Sequence, residues 1–191
     1  NAINISIDTL DTARFAALTK HDRLTELVAG VDAASKAGFA SVKVNAVRLQ
    51  GVNDDGLEQF CEFVRDRNVS VRFIELMRTN DNVAFFTRHH ASLKPWVEQL
   101  RTQGWREMPR ALNSGPATEF MHPEYAGRIG FIMPYADSFC ESCNRLRLSA
   151  VGKLHLCLFG EQGYDLRPWL DEGVSAQDLQ AQIASFMPHK K

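Results

Sequence analysis

Cys140, Cys143 and Cys157 are three soft sulfur donors in one short stretch of the sequence, fit to bind a metal. The first two form a Cys-x-x-Cys. The third follows a stretch in which leucines alternate on both sides of Ala150-Val151-Gly152-Lys153, a hairpin signature. Folding the chain about that turn brings Cys157 opposite the Cys143–Arg145 region. Strand side chains alternate with period two. Leu146, Leu148, Leu154 and Leu156 then share one face, expected to be buried, and Cys143, Arg145, Arg147, His155 and Cys157 share the other. Three thiolates converge beside two guanidinium groups.

Such a donor set suits two metals. A 4Fe-4S cluster normally takes four cysteines, so three leave one iron open for a ligand or substrate. Zinc would want a fourth ligand, and His155 is the nearest candidate. Unliganded core cysteines are the bland alternative, against which the hairpin geometry argues. Cys61 is different: it lies on the apolar stripe of a helix and reads as a buried core thiol. Arg145 and Arg147 could be solvated strand charges. On the cysteine face they are better explained as clamps for an anionic group, because guanidinium pairs with phosphate bidentately. Lys43 could be an exposed charge near a strand end, and Met77 taken alone reads as core filler. His21, His89, His90, His122 and His189 show no ligand spacing and read as surface residues.

The secondary structure around these groups is expected to alternate between strand and helix. Ile3 to Asp8 alternates isoleucine with Asn4, Ser6 and Asp8. A helix follows, with Leu24, Leu27, Val28 and Val31 on one stripe and Gly38 at its end. Ser41 to Leu49 and Val69 to Met77 read as the next strands. Between them Asn53 is expected to cap a helix carrying Leu57, Phe60, Cys61 and Val64. A later helix shows Leu93, Trp96, Val97 and Leu100, closed by Gly104. This alternation predicts parallel strands with right-handed crossovers, an α/β fold. Polar residues at every second position of the first strand favour a partial, incomplete β/α barrel of the TIM type over an open sheet buried on both faces. Active groups gather at the carboxyl ends of barrel strands. Those ends are expected to offer Ser6 and Asp8, Lys43 and Asn45, and Glu75 and Met77. After about residue 105 the pattern changes to short runs punctuated by Gly115-Pro116 and Pro123. Arg128 to Pro134 reads as a strand, and Ser175 to Phe186 as a surface helix. The division expected is 1–104 for the barrel portion and 105–191 for the cysteine-bearing region.

Composition limits the function classes. The 191 residues carry a net charge of −1, with 45% apolar and 24% charged residues. That balance excludes a disordered chain and argues against a general nucleic-acid coat, so phosphate recognition must be local. No apolar run approaches the ~20 residues of a membrane-spanning helix. No secretory leader is read either, which makes a disulfide framework the weaker reading of the cysteines. The expectation is a cytoplasmic protein with neither nucleic acid nor membrane as partner. Asn1, followed directly by a strand-like run, and the closing residues 186–191 both read as cuts within a longer protein.

Cys-x2-Cys-Asn-Arg-Leu-Arg-Leu followed by Gly-Lys-x-x-x-Cys-Leu resembles the carboxyl half of the radical S-adenosylmethionine GTP 3',8-cyclases that start molybdenum cofactor biosynthesis. The resemblance extends to Asn4-Ile5-Ser6-Ile7-Asp8, Val42-Lys43-Val44-Asn45, Gly51-Val52-Asn53-Asp54-Asp55 and Arg72-Phe73-Ile74-Glu75-Leu76-Met77. It implies an incomplete β/α barrel with two 4Fe-4S clusters. The first would cleave S-adenosylmethionine to a radical that takes hydrogen from the ribose of GTP, giving 3',8-cyclo-7,8-dihydro-GTP. A downstream partner, cyclic pyranopterin monophosphate synthase, would rearrange that product. Carried over by motif, Cys140, Cys143 and Cys157 bind the second cluster, whose open iron holds the guanine. Lys43, Arg145 and Arg147 resemble GTP contacts, and Ser6 and Met77 resemble S-adenosylmethionine contacts. The family's Cys-x3-Cys-x2-Cys motif for the first cluster, its first barrel strands and its Gly-Gly tail are absent from these residues. The chain alone is therefore expected to be inactive, and either to self-associate through an unpaired first strand, with a homodimer as one outcome, or to be poorly soluble. The rival from another class is a non-catalytic zinc or iron–sulfur nucleotide-binding module.

Overall fold

Apolar side chains at every second position of three short runs produce the parallel strands β1 (Ala2–Ser6), β2 (Ser41–Arg48) and β3 (Ser70–Glu75). The structure, a computed structural model, describes residues 1–109, 115–136, 139, 145–157, 160 and 162–190. It divides into two compact units, Asn1–Ala136 and Asp137–Lys191.

In the first unit α1 (Thr12–Thr19) and α2 (Leu24–Lys36) link β1 to β2, and α3 (Leu57–Phe63) links β2 to β3. Next come α4 (Val83–His89), α5 (Lys94–Thr102), β4 (Arg106–Glu107), β5 (Thr118–Met121) and β6 (Arg128–Ile132). The strand order among the described residues is β1-β2-β3-β6-β5-β4. β6 pairs in parallel with β3, so the strand expected at Arg128 to Pro134 joins the first three; β5 and β4 return antiparallel. A Cβ at Gly127 would lie 2.4 Å from the Arg67 carbonyl oxygen and 2.5 Å from that of Val69. Only glycine lets the chain enter β6 this close to the start of β3.

One face of this sheet is apolar and covered. Val42, Val44, Ala46, Val71, Phe73, Ile129 and Phe131 are buried there with Phe60 of α3 and Trp96, Val97 and Leu100 of α5. Phe73 is the hub, with ring centres 4.8 Å from Trp96 and 5.3 Å from Phe60, both edge-on, and 5.9 Å from Phe131, stacked. Cys61 belongs to this core. Burial, with Glu58 nearby, pushes its thiol up to about 12, so it is the inert core thiol expected.

Three features depart from the sequence reading. Hydrophobic periodicity gives no signal for α1 or α4, because α1 buries only Phe15 and α4 buries no residue. α1 is begun instead by Asp11, whose carboxylate accepts the Arg14 N–H at 2.8 Å. Asn53 does not cap α3; Gly56 occupies that position without a side-chain cap, and Asn53 lies too far upstream to serve the first helical amides. Its buried amide bridges strand ends. Oδ1 accepts the Leu49 N–H at 2.7 Å, while Nδ2 donates to the Asp8 carbonyl at 2.6 Å and the Val47 carbonyl at 2.8 Å.

The second unit holds an antiparallel sheet of β7 (Arg147–Leu148), β8 (Lys153–His155) and β9 (Gly163–Asp165), then α6 (Ala176–Phe186). The Ser175 hydroxyl caps α6 by accepting the Asp178 N–H at 3.1 Å. Leu154, Leu156 and Leu166 form its core, packed by Tyr164, Trp169, Leu179, Ile183 and Phe186. Only half of the expected leucine face is buried: Leu154 and Leu156 are 4% and 5% exposed, Leu146 and Leu148 40% and 58%. The cause is position. α6 covers the β8–β9 side, and β7 is an edge strand.

Removing the Asn53 amide takes three hydrogen bonds away, one from the buried Leu49 N–H and two from the Asp8 and Val47 carbonyls. Asn53→Ala is expected to cost about 3 kcal/mol in urea unfolding, since each unsatisfied buried group costs roughly 1–3 kcal/mol. A loss below about 1 kcal/mol, that of an ordinary cap, would show that the bridge between strand ends contributes little.

Candidate functional site

In-register pairing means that residues opposite one another share a face. One row across the sheet is Ser6, Asn45, Arg72, Gly130 and Glu119; the next is Asn4, Lys43, Ser70 and Arg128. This face is polar from β1 to β5. Arg72 lies across it, donating from Nε to Asn45 Oδ1 at 3.0 Å and from its terminal NH2 to Asn4 Oδ1 at 2.6 Å. Gly130 makes room for the stem, since a Cβ there would lie 3.2 Å from Arg72 Cγ. The Ser70 hydroxyl donates to Glu119 at 2.8 Å. Lys43 is half-buried in the row between Asn4 and Ser70. Sequence reasoning named Asn4, Ser6, Lys43 and Asn45 but passed over Ser70 and Arg72. The signal was available: they alternate with Val71 and Phe73 as Asn4 and Ser6 alternate with the isoleucines of β1.

The strand ends are less uniform than expected. Ser6 closes β1, and Met77 lies two residues past β3, half-buried, its carbonyl accepting from Asn82 Nδ2 at 2.9 Å. Lys43 is not at a carboxyl end, because β2 continues to Arg48. Glu75 is buried and turned to structure: Oε1 accepts the Leu93 N–H at 2.7 Å and the Ser92 hydroxyl at 3.2 Å, fixing the entry to α5. Asp8 extends the β1–β2 ladder with its side chain, Oδ1 accepting the Val47 N–H at 2.8 Å. Burial raises the Asp8 carboxyl above its ordinary value, and the Val47 bond opposes that only in part. Of the histidines read as surface residues, His21 and His189 are exposed, whereas His89, His90 and His122 are half-buried. His90 packs 4.5 Å from the Phe86 ring and 5.2 Å from that of Tyr135.

In the second unit the hairpin forms in the register the leucine alternation predicts. Arg147 pairs with His155 and Leu148 with Leu154; continuing the register sets Arg145 across from Cys157. The turn closes through the Ser149 N–H to the Lys153 carbonyl at 2.9 Å and the Gly152 N–H to the Ser149 carbonyl at 3.0 Å, with Gly152 at φ +73°. β9 adds Gly163 opposite His155 and Asp165 opposite Lys153. Cys157 is half-buried, and Arg145 and Arg147 are exposed. The Arg145 carbonyl accepts from Lys190 Nζ at 2.7 Å. Cys140 and Cys143 lie outside the described residues. Among the described residues no group of three His, Cys, Asp or Glu side chains is arranged to hold a metal ion.

A mixed α/β unit with one polar sheet face, joined in sequence to a cysteine-bearing hairpin unit, defines the class. Residues 69–191 match the family described as Molybdenum Cofactor Synthesis C, and the chain belongs to that family. Among its relatives, the GTP 3',8-cyclase of Edwardsiella ictaluri is 50% identical over 190 residues, covering 100% of this chain and 58% of the relative. That of Stenotrophomonas maltophilia strain R551-3 is 50% identical over 184 residues, 96% of this chain and 56% of the relative. That of Pectobacterium atrosepticum is 47% identical over 190 residues, 100% of this chain and 58% of the relative. The chain thus spans less than two thirds of the length of these relatives. No helix among the described residues is long and apolar enough to cross a membrane.

Asp8 gives the first unit a testable pH dependence. A carboxyl raised on folding makes the native state bind its proton more tightly than the unfolded chain, so stability falls as pH rises through the folded value. Asp8→Asn keeps an acceptor for the Val47 N–H and removes this term. The variant is expected to exceed the parent sequence in stability at neutral pH, with the gap closing as pH falls through the raised carboxyl value. Parallel unfolding curves with a pH-independent gap would assign the difference to something other than this ionisation.

Proposed function

We propose that this chain is the carboxyl-terminal portion of a GTP 3',8-cyclase, which converts GTP to 3',8-cyclo-7,8-dihydro-GTP by S-adenosylmethionine-dependent radical chemistry. The observation that carries the reading is the hairpin register, with Arg147 opposite His155 and, continued, Arg145 opposite Cys157. The cyclase relatives support it. Cys157, two residues past β8, is half-buried beside the row that holds His155 and Arg147, and thiolate is the donor iron–sulfur clusters take. With Cys140 and Cys143 it would hold a 4Fe-4S cluster. When bound, that group supplies an open iron at which the guanine can be held.

The remaining work falls to side chains of this chain. Arg145 and Arg147 present exposed guanidinium groups suited to bidentate pairing with phosphate. Lys43 is a further GTP contact by charge. Ser6 offers a hydroxyl at the end of β1 and Met77 an apolar side chain just past β3, both for S-adenosylmethionine. The polar face carrying Ser6, Lys43 and Arg72 is read as the inner wall of an incomplete β/α barrel, a reading that the alternation of polar groups under a covered apolar face supports. In functional terms residues 1–104 supply the barrel groups and residues 105–191 the cysteines and arginines. β1 stands first in the strand order, with an outer edge that no described strand covers. Such an edge recruits a further strand and is the basis for self-association, as a homodimer, of these residues alone. The product would pass to a downstream cyclic pyranopterin monophosphate synthase.

Two measurements test the reading. Anaerobic reconstitution is expected to load about four irons and four sulfides per chain, as a 4Fe-4S cluster requires. Cys157→Ala abolishes the loading and Cys61→Ala leaves it intact; stoichiometric zinc with no cluster formed would favour the zinc module instead. The 191 residues contain four cysteines and no Cys-x3-Cys-x2-Cys, the motif for the cluster that cleaves S-adenosylmethionine. The loaded chain by itself is therefore expected to release no 5′-deoxyadenosine. Release of that nucleoside would mean that the hairpin cysteines support the radical step, and the cluster assignment would fail.

A further inference from the structure

The chain is net negative, yet one face of the hairpin sheet is strongly positive. Leu154 and Leu156 point into the core of the second unit, so Lys153, His155 and Cys157 alternate onto the opposite face with Arg147. Gly163 demonstrates the arrangement directly. A Cβ there would lie 3.3 Å from Lys153 Cβ, 3.0 Å from His155 Cε1 and 3.2 Å from His155 Nε2. The imidazole therefore packs over Gly163 beside the Lys153 stem, and the missing side chain leaves room for the ring. Among the described residues the carboxylate on this face is Asp165, opposite Lys153. Arg167 engages it from Nε at 2.9 and 3.1 Å and through its backbone N–H at 3.0 Å. Among the described residues, Arg145, Arg147 and Lys153 thus set three cationic groups along one face, where the Asp165 carboxylate is already engaged by Arg167.

The charges are also ordered. Cys157 and Arg145 lie at one end by register, Arg147 and His155 come next, and Lys153 lies toward the turn. Four residues of strand separate Cys157 from Lys153, about 13 Å at ~3.3 Å per residue. That is a length over which a nucleoside triphosphate can stretch from its base to its last phosphate. Polyphosphate is the ligand chemistry such a row recognises, since phosphate oxygens take charge-assisted bonds from guanidinium and ammonium alike.

We propose that the nucleotide lies along this face with its base at the Cys157 end, and that Lys153 is a further binding residue, specific for the terminal phosphates. The inference rests on the cyclase reading, which supplies the base position and the two arginines. Lys153 is exposed and its backbone pairing is independent of its side chain, so its removal leaves the hairpin in place.

The test uses the full-length parent protein, reconstituted anaerobically, with binding of GTP, GMP and guanosine measured by calorimetry. Lys153→Ala is expected to weaken GTP roughly tenfold, the loss of one charge-assisted contact. GMP and guanosine should change by less than about twofold, because they lack the terminal phosphates. Lys153→Arg should restore GTP binding, and the cluster's absorbance should be unchanged throughout. Undiminished GTP affinity in Lys153→Ala, or an equal loss for all three ligands, overturns the proposal. Arg145→Ala and Arg147→Ala separate the two levels of inference. If they weaken GTP while Lys153→Ala does not, the cyclase reading stands and the phosphate track falls. If none of the three affects GTP, the hairpin is not the nucleotide site and both fall.

Discussion

In-register pairing of parallel strands is the constraint on which the larger unit depends. Because side chains alternate with period two, a slip of one residue between β2 and β3 would send Val71 and Phe73 to the polar face and Arg72 into the core. The register is held from both sides. Phe73 packs among Phe60, Trp96 and Phe131, while Arg72 on the other face is tied to Asn45 and Asn4. Burying Phe73 and orienting Arg72 are thus one structural event. The ends of β1 and β2 are closed by polar groups inside the fold, the Asn53 amide and the Asp8 carboxylate. Nothing apolar could do this, since the groups satisfied are backbone N–H and C=O at the point where the ladder runs out.

The second unit uses a different economy. Its strands are two or three residues long, and a glycine turn decides how they meet. With Gly152 at positive φ the chain reverses in three residues, and the register that follows opposes Arg147 to His155. Register here comes from turn geometry rather than from packing on both faces, which is why the edge leucines can remain exposed while the pairing holds.

Much of this was legible in the sequence where a periodic signal coincided with burial. The strands of the larger sheet, α2, α5 and the hairpin register follow from alternation or a helical stripe. α1 and α4 were not legible because helices that bury one side chain or none leave no stripe. Asn53 was misread for a different reason. An asparagine near a helix start looks the same whether it caps the helix or bridges two strand ends distant in sequence, and only the fold distinguishes them. Glu75 shows the same limit: position at a strand end suggested a ligand group, and the structure spends it on the Leu93 amide. The polar face was half legible, through Asn4 and Ser6. Arg72 was hidden in a run dominated by apolar neighbours, and Lys43 was assigned to a strand end that β2 in fact passes by.

The core beneath the hairpin consists of three buried leucines with half-buried neighbours. Three such side chains contribute on the order of 5–9 kcal/mol by burial. A region with so small a core opens more often than the aromatic core of the larger sheet, and amide exchange and proteases act on the open form. Any group that binds only the ordered hairpin therefore lengthens the lifetime of the whole polypeptide, by mass action. Resistance of this region to proteases is therefore a measure of hairpin occupancy, because its own core is small.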